Sequence, residues 1–117
     1  MESESPPLLR GTLDVMILKA LSSGPMHGYA VTRWIRRQSD GLLEVDDAAL
    51  YQALHRMRGK GWLESEWGRT DENRRAKYYN LTRRGRAALE RERSSLERYA
   101  NALLAVLAAE PAGSPAS

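Results

Sequence analysis

From Leu9 onward the apolar positions Leu9, Leu13, Met16, Ile17, Ala20 and Leu21 recur at three- and four-residue intervals, the spacing that places side chains on one face of an α-helix. Gly11-Thr12 stand at its opening and Gly24-Pro25 stop it, which predicts a first helix over about Leu9–Ser22. A second, about His27–Ser39, sets Tyr29, Ala30 and Trp34 among Arg33 and Arg37 and ends at the turn-forming Ser39-Asp40-Gly41. A third opens after Asp46-Asp47, carboxylates that accept from the free amides of a helix start. Its apolar stripe is Leu50, Ala53, Leu54 and Met57, and Gly59 and Gly61 terminate it.

The period then changes. Trp62 to Trp67 alternates apolar with polar residues, Lys77 to Leu81 does so less strictly, and Gly68 to Ala76 between them is polar and rich in turn formers. This predicts a β-hairpin with a long basic tip, too short to be stable without the helices. Thr82 then reads as an N-cap, followed by a long helix over Arg86 to Leu107. With Leu89, Leu96 and Leu103 on one seam position, Tyr99 and Val106 occupy the next, and Leu107 falls beside the seam. A helix that outruns so small a domain needs a second copy of the chain to cover it.

The predicted fold is therefore mainly α with a small β-hairpin: a winged helix-turn-helix plus a long C-terminal dimerisation helix. Residues 8–82 form the winged domain and 83–109 the dimerisation helix, with tails expected to be disordered at 1–7 and 110–117.

Charge sharpens this reading. The chain carries 18 Lys and Arg against 15 Asp and Glu, but from Arg56 to Arg86 ten basic residues face four acidic ones, a local net charge of +6 that leaves the remainder at −3. That segment spans the end of the third helix, the hairpin tip and the start of the last helix, the parts of a winged helix that approach DNA. A solvated surface can have the same composition. The chain has no cysteine, no apolar run of the length a membrane span needs, and a start, MESESPPLLR, unlike a secretory signal. A soluble, cytoplasmic protein with no membrane partner is the expectation.

Several motifs then fall in order: Pro25-Met26-His27-Gly28-Tyr29, Ala49-Leu50-Tyr51-Gln52-Ala53-Leu54-His55-Arg56-Met57, Gly61-Trp62-Leu63, Arg74-Arg75-Ala76-Lys77-Tyr78-Tyr79 and Leu81-Thr82-Arg83-Arg84-Gly85. Together they resemble the PadR family of bacterial transcriptional regulators, in its short form with a single C-terminal helix, over roughly Leu9 to Leu107. The resemblance implies a homodimer on double-stranded operator DNA, repression of a target promoter, and a flat aromatic effector bound at the dimer centre, where the last helix offers Tyr99. It also brings the first helix into the dimer interface, through Leu13 and Ile17, beside the seam residues Leu89, Leu96, Tyr99, Leu103, Val106 and Leu107. Two departures stand out: Ala48-Ala49 where the family commonly has Gly followed by Ser or Thr, and Gln52 where Pro is frequent.

Tyr51, Gln52, His55 and Arg56 are the recognition-helix candidates (about 47–60), because Gln pairs with adenine, Arg with guanine, and Tyr with phosphate. Arg69, Asn73, Arg74, Arg75 and Lys77 are the wing candidates (about 68–77), and Tyr29 is expected near a phosphate at the start of the second helix. Two histidines without cysteine make no metal site, and no cofactor is expected. Trp34, Trp62 and Trp67 read as core. Nothing in the sequence assembles a catalytic constellation. The rival to a DNA-binding repressor is a winged-helix interaction module without specific DNA binding.

Overall fold

A computed structural model describes residues 7–113. The elements run α1 (Pro7–Ala20), a 3-10 turn (Leu21–Ser23), β1 (Met26–His27), α2 (Gly28–Gln38), α3 (Asp47–Gly59), β2 (Leu63–Arg69), β3 (Arg75–Leu81) and α4 (Arg83–Ala108). The first three helices, the hairpin and the long last helix stand in the predicted order. α1 opens at Pro7, about two residues before its predicted start; the predicted tails lie for the most part in residues 1–6 and 114–117, outside the described part.

The helix ends follow from the sequence. His27 caps α2, its Nδ1 accepting from Ala30 N, and Asp46 caps α3 by accepting from Ala49 N at 3.1 Å. The two glycines after Arg58 end α3 as predicted: Trp62 N donates to Met57 O and Gly61 N to Arg58 O, the paired bonds of a Schellman stop. Thr82 caps α4 by accepting from Gly85 N.

The sheet is antiparallel, ordered β1-β3-β2, with Met26 opposite Tyr79 and Leu63 opposite Leu81. β1 was not foreseen. The basic tip is also shorter than predicted: the strands continue to Arg69 and from Arg75, leaving a turn over 70–74. Asn73 N donates to Thr70 O and Thr70 N to Arg74 O, while Asn73 takes a left-handed φ of 64°. This is a hydrogen-bonded β-turn closed by one left-handed residue, a conformation Asn tolerates better than most.

The core lies where the helices meet the inner end of the sheet. Ile17, Leu18 and Leu21 pack with Val31 and Ile35, with Leu50, Leu54 and Met57, with Leu63 and Leu81, and with Ala88 and Leu89 of α4. Among the described residues eight large side chains are fully buried, each stabilising the fold by about 1.5–3 kcal/mol. Two predicted interface residues belong to this core: Ile17 is 0% and Leu89 6% exposed within the protomer. Beyond Leu89 no residue of α4 is buried, and Tyr99, Leu103, Leu104, Val106 and Leu107 are exposed. Among the described residues no helix is long and apolar enough to cross a membrane.

Candidate nucleic-acid interface

The stripe Leu50, Ala53, Leu54 and Met57 turns one face of α3 into the core. The helical period then sends Gln52 and His55 outward on the opposite face, and Tyr51 and Arg56 to its two flanks. Tyr51 leans towards the start of α2, where a Cβ on Gly28 would lie 2.6 Å from its hydroxyl oxygen. Glycine at 28 is what lets the tyrosine cross there. Arg56, on the other flank, is ion-paired with the mostly buried Asp14 of α1. It braces α3 against α1, a partner that helical phase alone does not reveal.

Across from Tyr51 stands the wing. A cleft of about 810 Å³ separates the two, lined by His27, Gly28 and Tyr29 from the start of α2, by Tyr51, and by Trp67, Thr70, Glu72, Arg74, Arg75, Lys77 and Tyr79 from the wing. Five predicted contacts, Tyr29, Tyr51, Arg74, Arg75 and Lys77, therefore share one cleft, while Gln52 and His55 remain exposed on α3. Arg69 and Asn73 have local roles. Arg69 donates to Asn73 O at 3.1 Å and so holds the turn that Asn73 makes.

The strand register explains how the wing cations are arranged. Arg69 lies directly opposite Arg75, a like-charged cross-strand pair that is unfavourable unless the side chains part. They do: Arg69 reaches forward to the turn, and the Arg75 guanidinium carbon lies 4.4 Å from the centre of the Trp67 ring. Lys77, directly opposite Trp67, places its Nζ 5.4 Å from the same ring. Trp67 is thus 57% exposed and faces the cleft, contrary to its reading as core. Its alternation with Leu63 and Ser65 on one strand face could have marked it, because that face leaves the core before it reaches residue 67. Trp34 and Trp62 do pack against the core.

Burial raises the pKa of Tyr79 above its ordinary value of 10.0, with nearby Tyr51 adding to the shift and Arg58 opposing it. The phenol at the cleft floor is therefore neutral at physiological pH. The start of α3 is acidic, with Asp46 as cap and Asp47 in the first turn, which disfavours a phosphate there. The cations lie on the wing instead. No group of three or more potential metal ligands occurs among the described residues.

A recognition helix presenting polar side chains beside a basic two-stranded wing defines a winged helix-turn-helix regulator. The sequence matches the transcriptional regulator PadR-like family over residues 17–91, and the chain belongs to that family, whose members regulate transcription, bind DNA and are not enzymes. It is 33% identical over 95 residues to the transcriptional regulator Rv3488 of Mycobacterium tuberculosis, covering 81% of this chain and 85% of that one. It is also similar to the structure of a transcriptional regulator from Clostridium thermocellum, with 26% identity, a TM-score of 0.74, and 84% and 95% of the two chains covered. A PadR family transcription regulator from Clostridium difficile aligns at 25% identity with a TM-score of 0.69, covering 81% and 97%.

Proposed function

We propose that the chain is a repressor that binds a palindromic operator as a homodimer. Each α3 enters a major groove with Gln52 and His55 towards the base edges, while the wing lies on the flanking backbone. The observation that carries this reading is the meeting of α3 and the cation-bearing wing in one cleft, with Tyr29, Tyr51, Arg75 and Lys77 on its walls. The dimer rests on the exposed apolar residues of α4 from Tyr99 to Val106 and Leu107, with Leu96 and the partly buried Leu13 beside them. Two-fold symmetry then sets the half-sites about 34 Å apart, one helical turn. Repression follows from occupying the promoter. Release follows from an aromatic effector near Tyr99 that changes the separation of the two α3 helices.

Titration of labelled duplex from upstream of the chain's own gene tests the reading. Affinity well above that for random duplex at physiological salt is the expected result. Equal affinity for both would overturn it and favour an interaction module. If six side chains per dimer neutralise phosphates, log K falls against log salt with a slope of about −5.

A further inference from the structure

The hairpin tip and the hairpin stem differ in charge. The turn over 70–74 carries Asp71 and Glu72 against the single cation Arg74, with Glu72 and Arg74 both reaching the cleft, so the tip is net acidic and a poorer fit to a phosphate than the stem. The cations that the wing organises lie behind it, on the stem, and both are organised by one side chain. Lys77 meets Trp67 as its direct cross-strand partner, and Arg75 reaches the same ring from the diagonal position, a distance an aromatic and a long side chain span readily. The indole N–H has no acceptor among the described residues, and the ring is more than half exposed. The opposite wall presents Tyr29 and Tyr51, also exposed.

Resting on the reading of duplex DNA as the ligand, we propose that Trp67 is the positioning residue of the wing. It holds Arg75 and Lys77 at the stem so that the cleft grips one sugar-phosphate strand against the tyrosine wall, while the acidic tip stays clear of phosphates. Arginine stacked on an aromatic face has already lost the rotamer freedom that a free side chain would lose on binding. Phosphate contacts carry no sequence information. Trp67 therefore governs affinity for any duplex, and the exposed face of α3 governs the ratio between operator and random DNA.

The experiment compares wild type with Trp67→Leu, Trp67→Tyr, Gln52→Ala and the double change Asp71→Asn with Glu72→Gln, each titrated against operator and random duplex over a range of salt. Trp67→Leu is expected to weaken binding to both duplexes about tenfold, to flatten the salt slope, and to leave thermal unfolding unchanged. Trp67→Tyr restores most of the loss because an aromatic face is retained. Gln52→Ala lowers operator affinity alone, and the neutralised tip changes binding less than threefold. Unchanged affinity and slope for Trp67→Leu would overturn the proposal, as would a Tyr variant no better than Leu. A tenfold gain from neutralising the tip would also overturn it, because the tip would then face phosphates. Loss of the operator-to-random ratio in the wild type would refute the repressor reading instead. The Trp67 comparison on random duplex remains decisive in that case.

Discussion

Gly28 and Tyr51 are separated by 23 positions in sequence but share one space. The side chain that glycine lacks is what makes room for the phenol at the start of α2. In Gly28→Ala the new Cβ would lie 2.6 Å from the Tyr51 hydroxyl oxygen and 2.9 Å from Cζ. Tyr51 is half exposed and free to swing out, so the fold should hold to within about 1 kcal/mol while DNA affinity falls several-fold. A thermal melt alongside a duplex titration measures both. Tyr79 makes a different prediction. Burial raises its pKa, so the native state keeps the proton longer than the unfolded chain does. Its contribution to stability is complete below pH 10 and is lost progressively as pH rises beyond that. Tyr79→Phe should remove this component, and the alkaline unfolding midpoint should move upward. These residue pairings were only partly legible. Tyr51 and Gln52 were legible as candidates from residue type and family position, but Arg56 looked equally free, because its partner Asp14 is 42 residues away and on another helix.

At the scale of elements, one joint sets the angle between wing and last helix. Thr82 donates from its hydroxyl to Gly61 O at 2.6 Å and from its backbone N to Trp62 O at 3.0 Å, while accepting from Gly85 N. It ties the end of α3, the end of β3 and the start of α4 together. Gly85 sits so close beneath that a Cβ there would lie 2.1 Å from Trp62 O. That oxygen is backbone and has no free end to move. Gly85→Ala should cost about 3 kcal/mol or more, and Thr82→Ala about 1–2 kcal/mol, both read from denaturant midpoints at unchanged slope. The helices, the hairpin and this cap were all legible, because each repeats a period or carries a stop signal. β1 was not, since two residues establish no period and its pairing depends on Tyr78 and Tyr79 far along the chain. The wing turn was overextended because its strands become polar before they end. The exposed Trp67 was missed for a related reason: an aromatic in an alternating strand suggests core, and only the distance of residue 67 from the helices shows otherwise.

The whole molecule is long for its mass. Its radius of gyration is 17.6 Å and its extents are 66 × 28 × 27 Å, against about 13 Å for the radius of a compact domain of this size. The excess comes from α4, whose 26 residues span about 39 Å while only its first two turns meet the core. Beyond those turns α4 exposes Tyr99, Leu103, Leu104, Val106 and Leu107. In Leu103→Asp the charge should split the proposed dimer, and sedimentation should show a monomer of unchanged helical content. A variant that stays dimeric would place the interface elsewhere. The net charge of +6 read from the sequence also takes a different form in three dimensions. Part of it, Arg56, Arg69 and Arg86, is bound to Asp14, Asn73 O and Ser22 O within the chain.

The three tryptophans stand in three separate places on the molecule, and this makes the chain its own optical probe. Trp34 lines an apolar groove beside α4, Trp62 sits under Lys60 and Arg91 at the joint of wing and last helix, and Trp67 stands in the cleft. Single-tryptophan variants should therefore separate the emission of the groove beside α4, the joint of wing and last helix, and the cleft without any added dye. Quenching by acrylamide should reach Trp67 first in the free protein, and bound duplex should protect it.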